Sequence, residues 1–194
     1  MRSFDPRLVG ALECQTWVSY YRHEWFSFLF AAVRLVRHTF GMSWQRTVLG
    51  AWWVLRANQR WAPFPDNRPD AARDYMRRFY SLVARAHHAT FDVDEAARLE
   101  VGWWRAHRDV QRGPNPEDSA GYEALVVALQ ALYAHVYAVP AEAVRLAAAE
   151  RAQATTLSDE WVSAGVDPGS ELVPHERAAL VRSYAALLAA VHRP

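Results

Sequence analysis

The chain has no lysine, no isoleucine and a single cysteine. Without lysine there is no Schiff-base nucleophile and no phosphate-binding P-loop lysine. All 22 basic residues are arginine; with abundant alanine and valine, this reads as the codon bias of a GC-rich genome more than as chemistry. The lone Cys14 excludes an intramolecular disulfide and a thiolate metal cluster, so the expected compartment is reducing and cytoplasmic. The opening Met1-Arg2-Ser3-Phe4-Asp5-Pro6 has no apolar leader, and no secretory signal is expected.

Other signatures are missing too. Neither Glu-x-x-His nor His-Glu-x-x-His occurs, so no metal is assigned. A Gly-x-Ser-x-Gly elbow and a glycine-rich phosphate loop are also absent, which leaves any cofactor unassigned. The most apolar run, Trp25–Val33, falls short of the ~20 residues a membrane span takes. A formal net charge of +1 and the lack of a helix-turn-helix or other recognition module argue against nucleic acid.

What is present is helical. Asp5-Pro6 reads as an N-cap followed by proline at the first helical position. From Arg7 to Phe40 the chain carries one glycine and no proline, which fits one long helix or two consecutive ones. Gly41 offers a stop and Ser43 a cap for a helix over 44–61. Further helices are read over 69–90, 92–112 (opened by the capping-box pattern Asp92-Val93-Asp94-Glu95), 120–137, 141–164 and 174–192. The expected fold is all-α, a single-domain bundle of six or seven helices. The proline-rich segment 113–118 is the clearest point of subdivision.

Aromatic and charged residues are unevenly spread. Eight of the nine tryptophans lie in the first 104 residues. Residues 1–91 carry 13 arginines against 6 acids, and residues 92–194 carry 9 against 15. Such asymmetry marks either two halves that attract on folding or a basic face for an anionic partner. The stretch 18–40 is apolar around most of its circumference, with a narrow polar stripe at His23, Ser27, Arg34 and His38. That pattern predicts a central helix whose stripe faces solvent or a cleft. Helix 120–137 interrupts its apolar surface only at Glu123, Gln130 and His135, and is expected at the buried centre.

Two constellations could carry function. Arg56 follows Trp52 and Trp53 by four and three residues, contact spacing on a helix. On 92–112, Glu100, His107 and Gln111 border the core stripe, with Trp104 beside them. A carboxylate and an imidazole at a wet–dry border suit general acid–base work. The leading expectation is thus a pocket for a hydrophobic or aromatic anionic small molecule. Arg34 or Arg56 would hold the anion, His23, Trp52, Trp53 and Trp104 would line the site, and Glu100 or His107 would be the acid–base candidate if the protein is an enzyme. The alternative, of a different class, is a non-catalytic interaction protein whose aromatic first half contacts another copy, a partner or a membrane surface.

Overall fold

In the computed structural model, which describes residues 1–113 and 119–192, eight α-helices and one short 3₁₀ turn account for all regular structure among the described residues. They are α1 (Pro6–Tyr21), α2 (Trp25–Phe40), α3 (Trp44–Trp61), α4 (Pro69–His87), α5 (Val93–Arg112), α6 (Ser119–Tyr137), α7 (Arg145–Ser163) and α8 (Leu172–Val191). The all-α expectation holds, with eight helices in place of six or seven. The extra helix comes from the Arg7–Phe40 stretch, which breaks at Arg22–Glu24, where His23 adopts φ 59°. Nothing in that tripeptide forbids a helix, and the break is a tertiary decision. Most of the linker read at 113–118 lies outside the described residues.

Some of the local signals read from sequence work as physics requires, while Ser43, read as the cap of α3, makes no side-chain capping hydrogen bond. Asp5 caps α1 by accepting from the Arg7 amide at 2.9 Å, and Asp92 caps α5 by accepting from the Asp94 amide at 2.8 Å. The expected reciprocal half of the Asp92–Glu95 capping box does not form, because the Glu95 carboxylate turns to Arg98 at 2.6 Å instead. Gly41 ends α2 at φ 58°, its amide donating to the Arg37 carbonyl at 2.8 Å.

Packing runs in a circuit: α1 against α2 and α8, α8 against α7, α7 against α6, and so through α5, α4 and α3 back to α2. The link between α2 and α3 is thin. One apolar cluster draws on helices from both sides of 113–118, including Phe79, Val101, Leu129 and Leu187. A smaller one (Cys14, Ala154, Ala179, Leu180) lies where α1, α7 and α8 meet. Gly10 lets α1 and α8 approach closely, since a Cβ there would sit 2.8 Å from the Val181 amide nitrogen.

Two expectations about centrality need correcting. Helix α6 buries Leu125, Leu129, Leu132 and Val136 but leaves Val127 half-exposed, so it is not enclosed on every side. Helix α2 is not central at all. It buries Ala31, Val36 and Thr39, while Phe26 is 92% and Phe30 63% exposed. Hydrophobic periodicity says which residues are apolar, not how many neighbours arrive to cover them, and α2 has α1 on one side and little else.

Candidate functional site

The sequence-predicted residues fall into two separate places. The first is the outer surface of α2 and α3. Outward from α2 stand Trp25, Phe26, Leu29 and Phe30; outward from α3 stand Trp44 (59% exposed), Val48, Leu49 and Trp52 (50% exposed). Arginines lie across these rings: Arg34 5.3 Å from the Phe30 centroid, Arg37 4.6 Å from that of Trp44, and Arg56 5.7 Å from that of Trp52. The Arg37 guanidinium also donates to the Met42 carbonyl, which fastens the end of α2 to the start of α3. His23, exposed at the break, stacks on Trp25 with centroids 5.5 Å apart. From residue 25 to 61 the chain carries five arginines and no acid. Large exposed aromatic side chains on two successive helices are the kind of surface that marks an interaction site.

Along the flank of α3, Trp53 stacks on Tyr75 of α4 at 5.9 Å, and Arg78 lies 5.1 Å from the Trp53 ring. A groove of about 440 Å³ opens here, lined by Leu49, Trp53, Arg78, Ser81 and Arg85 among others. Arg56 and Trp52 are therefore brought together with Trp53 and Tyr75. Arg34 and His23 belong to the α2 surface instead.

The second place is interior. Glu100 accepts from the Tyr80 hydroxyl at 2.6 Å, and burial raises its pKa above the ordinary carboxylate range. His107, one face stacked on Trp103 at 6.5 Å, reaches Asp159 of α7 at 2.8 Å, where Gln111 joins at 2.9 Å. Glu100 and His107 thus share a helix and engage different partners. Trp104 is buried, its ring 6.1 Å from that of Trp61.

Between these groups lies a cluster that sequence reasoning missed. The Arg151 guanidinium spans both oxygens of Glu13, the second contact at 2.9 Å. The Tyr184 hydroxyl donates to Glu13 at 2.6 Å, and Arg151 lies 5.2 Å from the Trp103 centroid. A signal was present: Glu13 sits in the otherwise apolar Leu12-Glu13-Cys14, and Arg151 interrupts the alanine-rich face of α7. Nothing in either segment says that the two meet.

At the foot of the same helices Glu176 is fully buried, and neither of its oxygens makes a hydrogen bond of good geometry, although the Cys14 thiol and the Ser158 hydroxyl lie close enough to interact with it. Burial first, then the Glu13 charge, pushes its pKa up to about 7 against the help of Cys14 and Ser158. Burial and Glu176 in turn push the Cys14 thiol up to about 12, which leaves it a poor nucleophile. Among the described residues no group of three His, Cys, Asp or Glu side chains gathers in a way that could hold a metal ion. Compared with known protein families, curated proteins and solved structures, the chain matches none.

Proposed function

We propose that this protein is a non-catalytic docking protein that binds an anionic membrane surface through α2 and α3. One observation carries the reading: α2 is apolar toward α1 and apolar outward, within a segment that has five arginines and no acid. Transfer of an exposed phenyl or indole ring into the acyl boundary is worth ~1.5–3 kcal/mol. Each arginine near an anionic leaflet adds roughly 1 kcal/mol. Five aromatic rings and their arginines suffice for reversible binding of the interfacial kind. Among the described residues no single helix is long and apolar enough to cross a membrane.

A second copy fits the face less well. A two-fold interface sets a patch against itself, which would oppose the arginines of one copy to those of the other. The reading of an enclosed pocket with acid–base catalysis has less support. Glu100 is engaged by Tyr80, His107 by Asp159, and Trp104 by the core.

The test is tryptophan fluorescence and co-sedimentation with vesicles of phosphatidylcholine alone or with phosphatidylserine. Expected is a blue shift and pelleting with the anionic vesicles, both lost in Phe26→Ser/Phe30→Ser with thermal stability retained. No binding to anionic vesicles, with a dimer by light scattering that the same variant abolishes, would reassign the face to self-association.

A further inference from the structure

Beside the docking face, the α3–α4 flank carries arginines that have no ion-pair partner, although Asp94, held by Arg77 at 3.6 Å, also lines the groove. Arg56 lies 5.7 Å and Arg78 5.5 Å from the centroid of the same Tyr75 ring, so their charges are no more than about 11 Å apart. Arg56 also pulls the Tyr75 hydroxyl below its ordinary pKa, with Arg60 adding to the effect. Arg85 lines the groove with Arg78 and Trp53; seven residues on, it stands on the same side of α4, about 10 Å along the axis.

None of these four arginines forms an ion pair among the described residues. Their neighbours on α4 are treated differently, Arg73 being paired with Asp70 and Arg77 with both Asp74 and Asp94. Stacking on rings offsets only part of the mutual repulsion, ~0.5–1 kcal/mol for an exposed contact. The remainder is relieved when one multiply charged anion is shared. A phosphomonoester presents three terminal oxygens and close to two negative charges to a pair of guanidiniums, where a phosphodiester presents two oxygens and one charge. Leu49 carries the groove into the exposed apolar surface of α3, so a headgroup seated here would have its chains beside the rings that enter the membrane.

We infer that the Arg56–Tyr75–Arg78 cluster and the groove reaching to Arg85 bind the phosphomonoester headgroup of a lipid. This rests on the docking reading above and adds headgroup selectivity to it. The experiment compares vesicles containing phosphatidic acid with vesicles containing phosphatidylserine, matched for surface charge, using the full chain. The readout is the ratio of the two affinities. That ratio is expected to be about tenfold in favour of phosphatidic acid, the worth of one charge-assisted hydrogen bond. In Arg78→Gln/Arg85→Gln it should fall to near one, whatever the loss of two charges does to both affinities. Glycerol phosphate should compete with phosphatidic acid vesicles for the wild-type protein.

Equal affinities in the wild type, or a preference that survives the double variant, overturns the headgroup site and leaves the docking reading standing. Binding to neither lipid overturns both. Binding of inorganic phosphate that depends on Arg78 and Arg85, with no vesicle preference, overturns the lipid assignment in favour of a free anion. Circular dichroism and the melting temperature of the double variant establish that its fold is unchanged.

Discussion

The α2–α3 region and the α1–α7–α8 region invert each other's use of residues. In the first, large apolar rings face water while arginines lie over them. In the second, charged and polar groups are taken out of water: Glu13, Arg151 and Tyr184 bonded to one another, and Glu176 without a well-formed hydrogen bond to either oxygen. Both arrangements leave free energy unclaimed, but of different kinds. Exposed rings forfeit hydrophobic burial and can recover it against an external surface. A carboxyl buried in this way has no external remedy, and its cost is met by keeping the proton on.

Removal of Arg151 should break this contrast most severely. Arg151→Met leaves the Glu13 carboxylate buried without its cation, which for such pairs costs ~3–5 kcal/mol. Calorimetry should register a fall in melting temperature of about 6–20 °C, taking ~2–4 °C per kcal/mol for a chain of this size. A change below 1 kcal/mol would mean that water reaches Glu13 after the substitution.

Glu176 should act in the opposite direction. Its folded-state pKa of about 7 stands above the 4.5 of an ordinary glutamate, so on raising the pH the unfolded chain loses the proton first. Stability therefore falls as pH rises from about 4.5 to 7 and then levels off. Glu176→Gln, which carries no titratable proton, should match the wild type at pH 4.5 and exceed it by about 3 kcal/mol at pH 8. Urea denaturation at the two pH values measures this; equal stabilities at pH 8 would show that the ionised carboxylate is solvated.

Gly10→Ala probes the apposition that closes the α1–α8 side. A helical alanine is intrinsically favoured by roughly 0.5–1 kcal/mol, yet its Cβ would press on backbone at 2.8 Å. A net loss of about 1–2 kcal/mol is expected in the same denaturation assay. A net gain would show that the two helices separate without penalty.

The smallest stability change belongs to the exposed face. Phe26→Ser/Phe30→Ser should move unfolding free energy by no more than about 0.5 kcal/mol, as for surface positions in general, while abolishing vesicle binding. A loss several times larger would place those rings in a folded-state contact and remove the contrast between the two regions.

How far each region could be read in advance follows from the range of the forces that build it. Capping at Asp5 and Asp92, the stop at Gly41 and the adjacency of Arg56 to Trp52 are contacts within one turn of helix, and all were legible. The Glu13–Arg151 pair joins residues 138 positions apart, a separation at which no periodicity operates. Trp104 and Trp52 look alike in sequence, each an indole at a polar border. One is packed against Trp61 and the other is half in water, because α5 has neighbours on both flanks and α3 has α4 on one flank and only a thin contact with α2 on the other.

The sequence by itself determined the helical class, most helix ends, and a segment from residue 25 to 61 rich in rings and arginine and empty of acid. These are properties of composition and of spacing along the chain. Tertiary structure alone decided that the chain breaks at His23, that α2 is left with one face uncovered, and that Glu176 is buried without a well-formed hydrogen bond. Exposure and pairing depend on which helices arrive at a surface, and that is settled only when every helix has competed for the same core.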